Sequence, residues 1–283
     1  MTTSLHTPGA TVGPWKLLNL LGGGPEGEVW AAVDQKGSIA AVKLFRPEQQ
    51  EAAEQEFLTG KSLHHPNLLQ PLSFSAGDGV PWMAMPFCKD RSADNVAGFF
   101  SEKMAWKLLQ DISGALSFLH AEGLCHGDVN PSNILWDGQH FLLADFGSCA
   151  KSPDEKASVH DSSWQYAAPE KVKCAASDIW SLGASVFHLV MGTQVFNGMG
   201  GKSQRKDSVI PYMRKSMPEL SRLVVNCLHY ELEARPTATV ILDSAREGME
   251  IRRPVNRPLK TQTQDPLSDT TASFWPEEMK DAL

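Results

Sequence analysis

Residues 22–29 read Gly-Gly-Gly-Pro-Glu-Gly-Glu-Val and satisfy the pattern G-x-G-x-x-G-x-V. An apolar run over 15–21 precedes these glycines and a second run over 29–33 follows them, which predicts a loop between two antiparallel strands. A dinucleotide-binding motif would instead begin a helix at its last glycines. A third predicted strand over 39–45 carries Lys43. A glycine loop between strands with a lysine on the next strand is the arrangement of a flap over nucleotide phosphates.

The residues after Lys43 divide the chain into a strand-rich part and a helix-rich part. Apolar residues recur at helical spacing once the chain has passed residue 90, whereas strand signals dominate before it. The predicted elements are a helix over 47–63, strands over 68–75 and 82–87, and helices over 105–121, 178–191 and 220–229. This order predicts a small β-rich lobe followed by a larger helical lobe, with a boundary near 88–94.

Composition excludes several classes of protein. The 283 residues carry 26 Lys and Arg against 33 Asp and Glu, a net charge of −7, with 42% hydrophobic and 21% charged residues. These values are ordinary for a globular protein that buries a core. Because no dense basic block occurs before residue 252, neither nucleic acid nor an anionic membrane is an expected partner.

The distribution of apolar residues and cysteines predicts a cytoplasmic location. No run of eighteen apolar residues occurs, and the first residues lack the pattern of a signal peptide. The five cysteines are scattered and never spaced C-x-x-C, so they indicate neither a disulfide framework nor a zinc site. Free thiols are typical of a reducing compartment.

Five further motifs follow the glycine loop along the chain. They are His-Gly-Asp-Val-Asn-Pro-Ser-Asn at 126–133, Asp-Phe-Gly at 145–147, Ala-Pro-Glu at 168–170, Asp-Ile-Trp-Ser-Leu-Gly at 178–183 and Arg-Pro-Thr at 235–237. In this order and at these spacings the chain resembles the eukaryotic-like (Hanks-type) Ser/Thr protein kinase family over about 12–245. The resemblance implies an α+β, bilobal fold, with a small antiparallel β-sheet N-lobe that carries one helix and a larger helical C-lobe.

The same resemblance implies the domain organisation. A kinase-like domain is expected over 12–248, with its N-lobe over about 12–87 and its C-lobe over about 92–248, after an N-terminal extension over 1–11. Residues 249–283 are rich in Pro, Thr, Gln and Asp and are expected to be mostly disordered. Basic residues come first in this tail, so 252–260 is the expected segment for a regulatory partner.

The resemblance also implies that the protein uses ATP and Mg²⁺. Lys43 would hold the α- and β-phosphates and pair with Glu56, with Glu54 as the fallback. Asn133 and Asp145 would bind Mg²⁺, and their oxygens suit that hard cation.

The remaining site residues follow from the same comparison. Asp128 would accept or orient the proton of the substrate hydroxyl, and Asn130 stands where a lysine usually contacts the transferring phosphate. His126 would have a packing role in the catalytic loop. The expected nucleotide-binding residues are Gly22, Gly24 and Gly27 around the phosphates, Val29, Ala41 and Leu135 around adenine, and the backbone of Phe87 and Cys88 at its edge.

Several positions depart from the family pattern. Gly127 replaces an arginine that normally pairs with an activation-loop phosphate, which predicts activity without that phosphorylation. Asn130 lacks the charge of the usual lysine, and Pro25 removes an N–H from the loop tip. Glu26 adds negative charge near the phosphates, and Gly60 is expected to leave a gap behind the Asp-Phe-Gly turn. These departures predict a slow enzyme.

Three functions therefore compete. Pro131 and Ser163 are typical of an active Ser/Thr protein kinase, whereas the departures favour a nucleotide-binding pseudokinase that acts as an interaction scaffold. The His-Gly-Asp motif with Asn133 also resembles small-molecule phosphotransferases of the aminoglycoside and choline kinase type. The candidate autophosphorylation sites are Ser148, Ser152, Ser158 and Ser162, although a solvated polar loop is the better explanation for most of them.

Overall fold

The computed structural model describes residues 6–77, 79–89, 92–153, 164–170, 172–210 and 213–251, and its first part is a six-stranded antiparallel sheet. The strands are β1 (Thr11–Val12), β2 (Trp15–Gly23), β3 (Gly27–Val33), β4 (Ile39–Phe45), β5 (Ser73–Ser75) and β6 (Trp82–Pro86). Their spatial order is β1, β2, β3, β4, β6, β5. The glycine loop therefore joins β2 and β3 directly, as the sequence predicts.

The register of β3 and β4 decides which side chains face the cleft. Val29 pairs with Lys43, and Ala31 with Ala41. Because side chains alternate along a strand, these residues share one face of the sheet. The opposite face carries a buried core: Trp15, Leu17, Trp30, Ala32, Ala40, Val42, Leu44, Trp82 and Ala84.

One helix, α1 (Gln50–Ser62), packs on the sheet after a short 3₁₀ turn over Pro47–Gln49. On its buried face, Ala53 packs with Phe45 and Met83 of the sheet. The strand predicted over 68–75 is shorter than expected, because residues 68–69 bridge instead to Leu143. Pro71 lies between the two pairings, and proline has no N–H to continue a ladder.

The second part of the chain is helical. Its helices are α2 (Glu102–Ala121), α3 (Ala175–Met191), α4 (Pro218–Cys227) and α5 (Ala238–Ile251). Helix α2 begins where the Ser101 hydroxyl accepts the N–H of Met104, and α3 ends at Gly192 with φ of 71°. Helix α5 was not predicted and extends past residue 248. It lies so close to α2 that a Cβ on Gly248 would stand 2.7 Å from the Trp106 ring.

The loops at the cleft run between the strands of two short antiparallel pairs. Strands β8 (Ile134–Trp136) and β9 (Phe141–Leu143) form a hairpin, and β7 (Leu124–Cys125) pairs with β10 (Ala150–Lys151). The predicted α+β, bilobal fold is confirmed. Within the described ranges, no helix is both long enough and apolar enough to cross a membrane.

Candidate active site

A cavity of about 430 Å³ lies between the sheet and the helical part of the chain. Predicted site residues in its lining are Gly22, Val29, Ala41, Lys43, Glu56, Phe87, Cys88, Asn133, Leu135 and Asp145. Gly24, Gly27, Asp128 and Asn130 lie outside this lining, although Asn133 of the Asp128 loop belongs to it. At Gly27 a Cβ would overlap the carbonyl oxygen of Leu44, so glycine is needed there for β3 and β4 to pair closely.

The apolar part of the cavity is a slot between the two lobes. Val29 and Ala41 come from the sheet, and Leu135 comes from β8 on the opposite side. Sequence reasoning missed Leu69 and Met85, which also line the slot. The position of Met85 at the end of a predicted strand, just before Phe87 and Cys88, is the signal that could have found it. Such a slot suits a flat, mostly apolar ring.

The polar part of the cavity is organised around Lys43. Its ammonium lies 2.9 Å from a carboxylate oxygen of Glu56, 3.3 Å from Glu26 and 3.5 Å from Asp145. Helix α1 presents Glu56 inward, whereas Glu54 is exposed, so the fallback partner is not used. One lysine is thus shared by three carboxylates that come from three separate segments.

The charges in this cluster shift one another's protonation. Burial alone would lower the pKa of Lys43, but the surrounding carboxylates outweigh it and raise the pKa above its usual range. Burial and the Asp145 charge raise the pKa of Glu56 to about 7, against the effect of Lys43. Burial would also raise the pKa of Asp145, but the Lys43 ammonium and the Gly147 N–H hold it below its ordinary value.

Two amides hold the carboxylate of Asp128. The side-chain nitrogen of Asn130 donates to one oxygen, and that of Asn133 donates to the other, each at 3.0 Å. The side-chain oxygen of Asn130 accepts the N–H groups of Ser132 and Asn133 and so begins a short 3₁₀ turn. Asn130 is 6% exposed. Both ends of this amide are therefore engaged in positioning Asp128 and its loop.

Helix α3 anchors this catalytic loop through Asp178, which is 1% exposed. Its carboxylate accepts the backbone N–H groups of His126 and Gly127 at 2.8 and 2.9 Å. His126 bonds to the carbonyl of Ala144 and contacts the edge of Phe146. These contacts join the loop that carries Asp128 to the turn that carries Asp145.

The space behind the Asp-Phe-Gly turn differs from the expectation. A gap was predicted at Gly60, but a Cβ there would stand 2.8 Å from the Phe146 ring and 3.0 Å from Pro71. The prediction of a gap is wrong because Phe146 and Pro71 fill the space that a larger side chain at 60 would need. The close approach of helix and ring requires glycine here.

The candidate phosphorylation sites differ in their surroundings. Ser148 is buried, and the hydroxyl of Ser152 accepts the N–H of Ala175 at the start of α3. Ser158, Ser162 and Ser163 lie outside the described residues, as does the basic segment 252–260.

The Ala-Pro-Glu segment is held by a closed ion pair. The guanidinium of Arg235 donates to both oxygens of Glu170 at 2.6 and 2.7 Å and to three backbone carbonyls. The Arg235 side chain is 0% exposed. This contact connects the segment before α3 to the segment before α5.

Comparison with known proteins shows which family this chain is similar to. A family model described as the protein kinase domain matches residues 15–245. A probable serine/threonine-protein kinase KCC4 of Saccharomyces cerevisiae is 30% identical over 71% of this chain. An Aurora kinase of Dictyostelium discoideum and the serine/threonine-protein kinase PknA of Mycobacterium tuberculosis are each 27% identical, over 75% and 92% of this chain. The alignments cover 22% of the yeast protein and 61% of each of the other two.

Proposed function

This chain belongs to the protein kinase family, and from that premise we propose that it transfers the γ-phosphoryl group of ATP to Ser or Thr hydroxyls of protein substrates. The observation that carries the proposal is a single cleft that joins the Lys43, Glu56 and Asp145 cluster to the Asp128 loop. Phosphoryl transfer depends on positioning and on charge neutralisation, and this cleft supplies groups for both.

The adenine ring would lie in the slot between Val29, Ala41 and Leu135, with its edge toward the backbone of Phe87 and Cys88. The phosphates would then extend toward Lys43, because the slot leads from the apolar residues to the buried ammonium. On binding, Lys43 would exchange its contact with Glu26 for phosphate oxygens while it keeps Glu56.

The residues present fit Mg²⁺. The amide nitrogen of Asn133 is bonded to Asp128, so its oxygen is the atom left for a cation. The Asp145 carboxylate lines the same cavity. Carboxylate and amide oxygens are hard ligands of the kind Mg²⁺ prefers. A bound Mg²⁺ would neutralise phosphate charge in this cleft.

Asp128 would orient the attacking hydroxyl and accept its proton as the phosphoryl group departs. Asn130 and Asn133 hold its two oxygens, so the carboxylate has a defined direction before a substrate binds. The amide of Asn130 is already hydrogen-bonded within the catalytic loop and carries no charge. Asn130 would therefore add little stabilisation to the transferring phosphate. This supports a slow enzyme.

A protein substrate is favoured over a small molecule by the anchored Ala-Pro-Glu segment. Arg235 and Glu170 hold this segment against the residues that precede α5. A rigid segment there offers an extended peptide a surface, which a small hydroxylated compound would not need. The proposed partners are therefore ATP and a protein with a Ser or Thr acceptor, and a cytoplasmic location stays a prediction.

The second candidate is a nucleotide-binding pseudokinase that acts as an interaction scaffold. The 3.3 Å contact between Glu26 and Lys43 favours the scaffold function, because the ammonium that phosphates would bind is already paired with a carboxylate. Pro25 adds to this by removing an N–H from the loop tip.

One experiment tests the proposed transfer. The full chain is incubated with Mg²⁺, labelled ATP and a generic basic protein, beside Asp128→Asn and the control Asp137→Asn. We expect label on Ser or Thr that falls at least about a hundredfold in Asp128→Asn. Asp137→Asn should retain activity, because Asp137 lies in the exposed β8–β9 turn.

Other results would redirect the proposal. ATP binding without transfer to any protein would contradict it in favour of the scaffold. Transfer only to small hydroxylated compounds would favour the phosphotransferase alternative.

A further inference from the structure

A buried lysine joins distant parts of the chain around the catalytic loop. Lys173 is 6% exposed, and its ammonium donates to the carbonyl oxygen of Ser148 at 3.3 Å. Its Cδ and Cε lie 3.0 and 3.3 Å from the place where a Cβ on Gly127 would stand. Lys173 therefore contacts both the residue before Asp128 and the residue after the Asp-Phe-Gly turn.

A negative charge lies near Lys173, because the Asp178 carboxylate accepts the N–H of Gly127, the residue that the Lys173 stem approaches. Burial raises the pKa of Cys125 to about 12 and that of Cys149 to about 11. The Asp178 carboxylate adds to both shifts and the Lys173 ammonium opposes both. A buried ammonium needs such compensation, since its transfer from water is costly.

Lys173 projects from a fixed base. Glu170, three residues earlier, is held by Arg235. Cys174, the next residue, is the N-cap of α3, and its N–H donates to the hydroxyl of Ser177 at 2.9 Å. A lysine between two such anchors can hold a neighbouring segment in place.

The segment that Lys173 contacts is tied to the C-lobe by further bonds without phosphate. Ala150 pairs with Cys125 across β10 and β7, and the N–H of Ser152 donates to the carbonyl of Gly123 at 2.9 Å. A larger residue at position 127 could not take over the role of Lys173, because its side chain would have no room. Gly127 has φ of 76°, and its Cβ would stand 2.7 Å from the Ser148 carbonyl oxygen.

We propose that Lys173 is a positioning residue that holds the start of the activation segment, residues 148–152, against the catalytic loop. Its ammonium donates to the carbonyl oxygen of Ser148. This contact comes from within the chain and keeps the segment in place without a phosphate group. This inference rests on the proposed phosphoryl transfer and names how that same site is kept ordered.

The test compares three substitutions in the full chain. Lys173→Met removes the ammonium and keeps an apolar stem, Lys173→Arg keeps the charge, and Lys151→Met is the control on an exposed lysine of the same segment. Hydrogen exchange at the Cys149 and Ser152 amides is measured together with kcat and KM for ATP. These amides report opening of the segment directly.

We expect exchange at both amides to accelerate and kcat to fall about tenfold in Lys173→Met, as befits a lost charge-assisted hydrogen bond. KM for ATP should stay unchanged, Lys173→Arg should recover most of both properties, and Lys151→Met should match the unmodified protein. Exchange and kcat unchanged in Lys173→Met, or equal defects in Lys173→Met and Lys173→Arg, would overturn the proposal.

Two provisions keep the test decisive. If Lys173→Met does not fold, Lys173→Gln takes its place: faster exchange supports the proposal and unchanged exchange overturns it. If the unmodified protein transfers no phosphate, the proposed function fails, but hydrogen exchange still reports whether Lys173 holds the segment.

Discussion

Two charged clusters of this molecule contrast in how completely they are satisfied. Arg235 and Glu170 form a closed pair, with side chains 0% and 11% exposed and every guanidinium nitrogen bonded. Lys43 is shared among three carboxylates, of which Asp145 and Glu26 are 35% and 46% exposed. The closed cluster holds segments together, whereas the open one has groups that can exchange partners when a ligand enters.

The two clusters also differ in their charge balance. The closed cluster pairs one positive with one negative group. The open cluster has an excess of carboxylate, although the proposed ligand is a polyanion. A cation at Asp145 and the release of Glu26 from Lys43 would both remove that excess when the proposed ligands bind.

The largest expected effect comes from breaking the closed pair. Arg235→Met would leave Glu170 without its partner in a nearly buried site, and we expect a loss of about 3–5 kcal/mol in the free energy of unfolding. Urea unfolding of the full chain measures it. Arg246→Met is the matched control, because Arg246 is 59% exposed and pairs only loosely with Asp243, at 3.4 Å. Similar losses in the two variants would show that the closed pair does not stabilise the fold.

A smaller effect is expected from the open cluster when Glu26 loses its charge. Glu26→Gln frees Lys43 for phosphates, so ATP should bind about two- to tenfold more tightly, with a smaller gain at high salt because Glu26 is half exposed. Titration with a fluorescent ATP analogue at two ionic strengths checks this. Glu48→Gln, on an exposed residue of the same lobe, should leave affinity unchanged. Weaker or equal binding in Glu26→Gln would mean that the carboxylate does not compete with the nucleotide.

The most gradual effect, because it is spread over several pH units, is a dependence on pH through Glu56. Its pKa of about 7, against an ordinary value of 4.5, means that the folded protein favours the protonated form. The resulting stability is fully present below pH 4.5 and is lost as the pH rises through about 7. Activity should change in the opposite direction, because only charged Glu56 pairs fully with Lys43.

Thermal unfolding and kcat/KM, each measured between pH 5 and 8, test whether stability and activity change in opposite directions. Glu56→Gln is the control, and it should remove the stability change over that range. A stability profile that is identical in Glu56→Gln and the unmodified protein would assign the change to other groups.

Much of the fold could be predicted from local sequence patterns. The glycine loop, the strands on either side of it and the helices α2 to α4 follow from apolar spacing and turn residues, which act over a few neighbouring positions. Helix α5 was missed, although Ala238, Ile241 and Ala245 stand at helical spacing and are buried. The β8–β9 hairpin was missed as well, although Asp137 and Gly138 mark its turn.

The motifs also identified the residue types of the site: a lysine, a glutamate and an aspartate for the charge cluster, and an aspartate with two asparagines for the loop. The resemblance to the protein kinase family assigned their order, and membership in that family is confirmed. Their individual roles stay predictions, since those roles depend on ligands.

How these residues meet depends on the packing of distant elements. Lys43 and Asp145 are 102 positions apart, and the contacts of Glu26 with Lys43, of Phe146 with Gly60 and of Lys173 with Gly127 also cross between elements. Sequence patterns report which face of an element is buried, because that preference is local. Which side chain fills a given space depends on how whole elements pack, and that packing turned an expected gap at Gly60 into a close contact.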